Sequence, residues 1–119
     1  MRRENKTDMT DTAIVIAKAD DIPDDDVVAV SVQGHALAVY KVDGHVYASD
    51  DLCNHGNARL SDGFVEDGLI ECPLHGGAFD IKTGAAKRAP VTECMKTYAV
   101  EVRGGDVVLL DPAQLPGQS

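Results

Sequence analysis

The sequence predicts an all-β domain, a small antiparallel barrel or sandwich, from two observations. Short apolar segments alternate with polar residues and eleven glycines separate them, whereas no window keeps the helical period of about 3.6 residues. The length of 119 residues, with 44% hydrophobic and 26% charged residues, is typical of one folded domain. We expect that domain over residues 12–111, between flexible tails at 1–11 and 112–119.

The sequence becomes strand-like from Ala13, and turn dipeptides separate the predicted strands. Val28, Val30 and Val32 alternate with small or polar residues, which is typical of a half-buried strand. Asp43-Gly44 is a hairpin signal, because both residues accept the positive φ that a two-residue turn needs. The predicted strands are 28–32, 36–42, 46–48, 69–71, 78–81, 98–102 and 107–110, with further turns at Gln33-Gly34 and Gly104-Gly105.

The glycine-rich loops of residues 50–90 contain two pairs of metal-ligating residues. The first pair lies in Cys53-Asn54-His55-Gly56, and the second, sixteen residues later, in Cys72-Pro73-Leu74-His75-Gly76-Gly77. Each pair offers one thiolate and one imidazole, a donor set that suits iron or zinc and not calcium or magnesium. Both pairs are next to glycine in predicted loops, so we expect the two loops to close on one centre from opposite sides.

Two other interpretations of these residues stay open at this point. A single Cys or His is more often a core residue than a ligand, although two mixed pairs in similar loops rarely arise by chance. Two thiolates and two imidazoles also make an acceptable tetrahedral zinc site, in a protein that would be colourless. Structural zinc sites of that composition usually pair Cys with Cys and His with His, and the histidines come from a helix that this sequence does not predict.

At these residues the sequence resembles the Rieske iron–sulfur family, and most closely the small Rieske-type 2Fe–2S ferredoxins of bacterial aromatic-ring-hydroxylating dioxygenase systems. The C-x-H and C-x-x-H-G pairs carry the resemblance, which covers nearly all of residues 13–110. It implies that Cys53 and Cys72 hold one iron of a 2Fe–2S cluster. It implies that His55 and His75 hold the other. The residues that it implies around the cluster are Gly56, Leu74, Gly76, Gly77 and Pro90.

The resemblance implies a one-electron carrier and not an enzyme. Such a carrier accepts an electron from a flavin-containing ferredoxin reductase and passes it to a terminal Rieske non-haem iron oxygenase. His55 and His75, at the loop tips, are the expected point of electron entry and exit. We expect a cytoplasmic protein without membrane contact, because no apolar segment is long enough to span a bilayer and a disulfide framework cannot use all of three cysteines. We expect a monomer, because a small carrier meets two partners in turn.

The resemblance also predicts a reduction potential at the low end of the Rieske range, roughly −150 mV. High-potential relatives carry two further cysteines that form a disulfide between the cluster loops, at the positions of Ala58 and Leu74 here. They also carry a serine and a tyrosine whose hydroxyls donate to sulfur atoms of the site, where this chain has Gly77 and Phe79. Without those hydrogen bonds, the negative charge of the reduced cluster is less stabilised.

The net charge of −9 argues against nucleic acid as a partner, because that affinity depends on Lys and Arg contacts to phosphate. From residue 20 to residue 71, twelve acidic residues stand against two basic ones, a net charge of −10. This excess is either a solvated surface or a field that steers a basic protein partner toward the loops. The acidic residues expected around the loops are Asp50, Asp51, Asp62, Glu66 and Asp67.

Two other functions stay open. An oxygenase would need a mononuclear iron held by two His and a carboxylate, but only His35 and His45 remain, and both are expected on the surface beside hairpin turns. A Rieske-like small subunit of an assimilatory nitrite reductase would have the same ligands. Cys94 has no Cys or His close to it in sequence, so we expect it to act as a small apolar residue.

Overall fold

The computed structural model describes residues 13–52, 58–73, 76–88, 95–112 and 115. These residues form eleven strands and two single turns of 3-10 helix, Ala19–Asp21 and Leu60–Asp62, so the predicted all-β class is confirmed. No helix within them is long and apolar enough to cross a membrane. The strands are β1 (Ile14–Lys18), β2 (Asp26–Val32), β3 (His35–Val42), β4 (His45–Asp50), β5 (Phe64–Glu66), β6 (Leu69–Glu71), β7 (Ala78–Asp80), β8 (Ala86–Arg88), β9 (Thr97–Tyr98), β10 (Val100–Arg103) and β11 (Asp106–Leu109).

The described strands make three antiparallel sheets. The terminal sheet has the order β1-β11-β10, and the central sheet has the order β2-β3-β4-β9. The inserted sheet, β5-β6-β7-β8, is formed entirely by the chain between β4 and β9. The loops with the predicted metal ligands therefore belong to an insertion that leaves the central sheet after β4 and returns to it at β9.

The two hairpins of the central sheet form as predicted. At the first, Val32 pairs with His35, and at the second, Val42 pairs with His45. Asp43 and Gly44 in the second turn have φ values of 53° and 80°, the positive values that a two-residue hairpin turn requires. These turns fix the register, so every second side chain of β3 points to the same face.

Within the central sheet, β3 is buried on both faces and contributes to two separate cores. Leu37 and Val39 pack in the base core, between the central and terminal sheets. Ala38 and Tyr40 pack in the inserted core, between the central and inserted sheets. All four are 0% exposed, which explains why this strand is a continuous apolar run rather than an alternating one.

The predicted strand over 98–102 is divided between two sheets in the structure. Tyr98 of β9 pairs with Ala48 of β4, whereas Val100 of β10 pairs with Leu109 of β11. The intervening Ala99 belongs to neither strand, and its carbonyl accepts a hydrogen bond from the Leu110 N–H at 3.0 Å. The alternation of apolar residues continues through this crossing, so the sequence pattern did not reveal it.

Candidate metal centre

The second predicted ligand loop is a tight connection between β6 and β7. The backbone N–H of Cys72 donates to the Gly77 carbonyl at 2.7 Å, and the N–H of Gly76 donates to the Cys72 carbonyl at 3.1 Å. Gly76 has a φ of +76°, a left-handed conformation that reverses the chain at little cost only for glycine. Its N–H is therefore used within the loop, and the glycine serves to turn the chain.

Cys72 is the only predicted ligand among the described residues. It is 2% exposed, forms no disulfide and packs in the inserted core, which also contains Ile70 and Phe79. A buried, unpaired thiol at a loop end, with one more Cys and two His predicted in the adjacent loops, is a donor set that fits a Rieske 2Fe–2S cluster.

The first predicted ligand loop is closed at its base by backbone contacts. The N–H of Leu60 donates to the Asp51 carbonyl at 2.6 Å, and Leu52 and Arg59 form an antiparallel bridge. The Asp51 N–H donates to the carbonyl of Ala36 near the start of β3, at 3.2 Å. Leu52 and Arg59, on either side of the first predicted ligand pair, therefore meet beside the central sheet.

Gly63 brings the bases of the two loops together, and sequence analysis did not single it out. The residue ends the 3-10 turn that follows the first loop, and its N–H donates to the Leu60 carbonyl at 2.9 Å. A Cβ atom built on Gly63 would overlap the carbonyl oxygen of Glu71, the residue before Cys72. Only a residue without a side chain allows this approach, so the returning first loop lies directly against the strand that carries the second loop.

The other predicted site residues lie outside the described part of the chain. They are Cys53, His55, Gly56, Leu74, His75 and Pro90, together with Cys94. What the structure establishes is the base of each ligand loop and the contact between the two bases.

Of the five docking acids predicted around the loops, only Asp62 is exposed beside a loop base. Asp51 is 0% exposed, and Asp50 is half-buried among hydrogen-bonding partners. Glu66 and Asp67 are exposed, but they lie at the β5–β6 turn, the end of the inserted sheet away from Cys72. Asp62 is exposed close to the base of the first loop. The negative surface is therefore not concentrated on the ligand loops.

Asp50 joins the end of β4 to β9 through a polar network. The Tyr98 hydroxyl donates to Asp50 Oδ1 at 2.6 Å, and His35 Nε2 lies 2.7 Å from the same oxygen. Burial, the hydrogen bond to Asp50 and the charge of Asp50 all raise the pKa of Tyr98 above its usual range. His45 is exposed as predicted, whereas His35 is half-buried because it is held by this carboxylate.

The outer face of the inserted sheet carries an exposed aromatic residue beside an ion pair. Phe64 is 64% exposed and pairs with Glu71 across β5 and β6. Arg88 of β8 donates to Glu71 Oε1 at 3.0 Å. The residues around a shallow depression of about 140 Å³ on this face are Phe64, Glu66, Asp67, Leu69, Glu71 and Arg88. Because Glu71 precedes Cys72, this face borders the second ligand loop.

The family model of the Rieske [2Fe-2S] domain matches residues 12–99. The chain belongs to the Rieske [2Fe-2S] family. Its cofactor is accordingly one Rieske 2Fe–2S cluster, which is redox-active, so the zinc interpretation does not hold.

Relatives and solved structures place the chain among the Rieske ferredoxins. It is 50% identical to the ferredoxin component of the naphthalene 1,2-dioxygenase system of Pseudomonas aeruginosa, over 85% of this chain and 97% of the relative. It matches the Sphingomonas yanoikuyae B1 ferredoxin with a TM-score of 0.80 and 45% identity, over 85% of this chain and 100% of that one. A chain in the complex of reduced oxygenase and oxidized ferredoxin in carbazole 1,9a-dioxygenase matches with a TM-score of 0.77 and 37% identity, over 82% and 92%. The chain is thus an electron carrier and not an enzyme.

Proposed function

We propose that Cys53 and Cys72 hold one iron of the cluster and that His55 and His75 hold the other. The observation that carries this assignment is the contact of Gly63 with Glu71, since it places the base of the first loop beside Cys72. Cys72 supports it further, because its thiol is buried and in no disulfide. When bound, the cluster supplies reversible one-electron chemistry.

We propose that the chain takes electrons from a flavin-containing ferredoxin reductase and delivers them to a terminal Rieske non-haem iron oxygenase of an aromatic-ring-hydroxylating system. The 50% identical relative is a ferredoxin component of such a system, and a ferredoxin chain of this fold occurs in a complex with its oxygenase. The imidazoles of His55 and His75 are the proposed point of electron entry and exit. The core around Cys72 shields this thiol from water.

The oxygenase of an aromatic-ring-hydroxylating system is a better candidate for the partner of the chain than a nitrite reductase. A nitrite reductase small subunit would use the same ligands, so the site itself does not distinguish the two functions. The 50% identity to the ferredoxin component of a naphthalene 1,2-dioxygenase system favours an oxygenase as the partner. Co-purification with a large sirohaem subunit, instead of an oxygenase, would reverse this preference.

Three further properties complete the proposal, namely the cell compartment, the oligomeric state and the reduction potential of the cluster. A cytoplasmic location suits cysteines that act as ligands, because a reducing compartment keeps thiols available for iron. A monomer suits a carrier that must meet two partners in turn. A potential of roughly −150 mV follows from the absence of hydroxyl donors at Gly77 and Phe79, and a redox titration with a clearly positive midpoint would contradict it.

Reconstitution of electron transfer tests the function directly. The cluster-loaded protein is added to a flavin-containing ferredoxin reductase, NADH and the oxygenase component of a naphthalene dioxygenase system, and product formation is measured. We expect product only when the ferredoxin is present, and none with Cys72→Ala, which removes a ligand. Rapid reduction by the reductase without transfer to the oxygenase would contradict the proposed partner while leaving the carrier function intact.

A further inference from the structure

Asp51 is the only buried charged residue in the described part of the chain. It is 0% exposed, although it follows half-buried Asp50 and lies two residues before the predicted ligand Cys53. A carboxylate in an apolar core is strongly unfavourable unless hydrogen bonds or an opposite charge compensate it. The groups that compensate the Asp51 carboxylate therefore indicate its structural role.

Among the described residues, the side-chain partners of Asp51 come from one short segment. Oδ1 accepts a hydrogen bond from the backbone N–H of Ser61 at 2.8 Å. Oδ2 accepts one from the Ser61 hydroxyl at 3.1 Å and lies 3.8 Å from Nη1 of Arg59. Arg59 and Ser61 belong to the chain that returns from the first ligand loop, so the carboxylate binds the far side of the loop that its own residue begins.

The backbone of Asp51 makes the same connection. Its carbonyl accepts from the Leu60 N–H, and its N–H donates to Ala36 of the central sheet. Side chain and backbone together join residue 51 to the central sheet and to residues 59–61, so both ends of the segment that contains Cys53 and His55 are fixed. Two residues further on, Gly63 touches Glu71 beside Cys72. A displacement of residues 59–61 would therefore also move the contact between the two ligand loops.

We propose that Asp51 is a positioning residue for the iron–sulfur centre. Its buried carboxylate holds the two ends of the first ligand loop at the spacing that the cluster needs. This inference rests on the ligand assignment proposed above. Preorganised ligands bind a metal group more tightly because little ordering is left to occur on binding. The expected consequence of losing Asp51 is a cluster that is lost faster and whose iron environment is altered.

Three variants of the cluster-loaded protein test this inference. Asp51→Ala removes the acceptor, Asp51→Asn keeps the shape and one acceptor oxygen, and Asp62→Asn is a control with the same charge change at an exposed acid nearby. The readouts are the rate at which visible absorbance is lost in excess chelator, the EPR spectrum after dithionite reduction, and the midpoint potential.

We expect Asp51→Ala to lose its cluster about tenfold faster or more, because it lacks charge-assisted hydrogen bonds that are about twice as strong as neutral ones. Asp51→Asn should fall between Asp51→Ala and the wild type, with a shifted or broadened EPR spectrum. Asp62→Asn should match the wild type in all three readouts. If Asp51→Ala does not fold, Asp51→Asn and Ser61→Ala, which removes only the hydroxyl donor, decide the question.

Two results would overturn the inference. One is a wild-type cluster lifetime, EPR spectrum and potential in the Asp51 variants, even if their urea midpoints fall, since Asp51 would then support the fold alone. The other is an equal change in Asp62→Asn, which would indicate a general effect of charge. Failure of the ligand assignment is visible separately, because wild-type protein would then lack the EPR spectrum of a His-ligated cluster.

Discussion

Gly63 is the residue at which a missing side chain matters most. Its φ of −90° suits any residue, but a Cβ would overlap the Glu71 carbonyl oxygen, which is backbone and has little room to move. We expect Gly63→Ala to lower the free energy of unfolding by about 1–3 kcal/mol, as overpacking usually does, and to accelerate cluster loss. Urea unfolding and visible absorbance measure the two effects.

Gly68→Ala is the matched control for this substitution. Gly68 lies in the turn at the other end of the inserted sheet, where a Cβ would meet nothing within 4 Å and only the φ of +78° is unfavourable. This variant should lower stability by about 1–2 kcal/mol and leave the rate of cluster loss unchanged. Equal rates of cluster loss in both variants would contradict the role given to Gly63.

Tyr98 makes stability depend on pH in the alkaline range. Its pKa is raised in the folded protein by burial and by Asp50, so folding favours the protonated hydroxyl. This contribution is fully present below the unfolded pKa of about 10 and is lost above it, at up to about 1.4 kcal/mol per pH unit. Urea unfolding should show wild type more stable than Tyr98→Phe below pH 10, with the difference shrinking as pH rises. A difference in stability between the two proteins that does not change with pH would contradict the raised pKa of Tyr98.

The burial of single acidic residues was not predicted from the sequence. Asp50 and Asp51 are identical in type and adjacent, yet one joins Tyr98 and the other Ser61. A period of two does not separate them, because Ala48 on the side of Asp50 and Ser49 on the side of Asp51 are both buried. What the sequence could not supply was the partners, because residues 59–61 meet Asp51 only through the fold.

Substitutions in the two cores are expected to affect the cluster differently. Ile70 of β6 and Leu109 of β11 are both 0% exposed, the first in the inserted core and the second in the base core. Truncation of either to alanine should cost about 2–5 kcal/mol of stability. Only Ile70→Ala should also speed cluster loss, because β6 leads directly to Cys72. Visible absorbance followed in chelator tests this, and faster loss in Leu109→Ala would contradict it.

The sequence predicted the long strands of the central sheet but only two of the four three-residue strands of the inserted sheet, β6 and β7. The strands of the central sheet were predicted because their apolar residues and turn dipeptides lie close together in the chain. β5 and β8, with three residues each, were missed. Strands this short are stabilised by pairing with neighbours rather than by local preference. The Asp67-Gly68 dipeptide was the one local signal for β5, since it joins β5 to β6 in a hairpin.

For the whole molecule, the negative charge should steer partner association, with a local contribution from Asp62. Asp62 lies near the base of the first ligand loop, whereas Asp43 lies beyond the far end of six-residue β4, about 20 Å away along the strand. That distance exceeds the screening length of about 8 Å at physiological salt. Asp62→Asn should therefore slow electron transfer to the oxygenase more than Asp43→Asn does.

Stopped-flow rates at several salt concentrations test this prediction. The rate for wild type should fall steeply with salt, and the two variants should converge at high salt. Asp43→Asn is a suitable control, because Asn adopts the positive φ of 53° found at this turn position. Rates that do not respond to salt would show that the acidic surface serves solubility alone.

At the scale of the molecule, the sequence predicted the family and cofactor because the four ligand residues and their spacing occur in two short motifs. The support for those motifs was not predictable in the same way. Cys72 is held by its own loop, but the base of the first loop depends on Ala36, Leu60 and Ser61, which only the folded chain brings together.

The most direct test of the ligand assignment is an EPR experiment with nitrogen hyperfine resolution, such as ENDOR, on reduced protein labelled with ¹⁵N-histidine. The chain has four histidines, and the assignment predicts that two of them couple to the reduced cluster in a spectrum of low average g-value. His55→Ala and His75→Ala should each remove this signal or the cluster, whereas His45→Ala should leave both unchanged. A spectrum without histidine coupling, typical of all-cysteine ligation, would contradict the assignment.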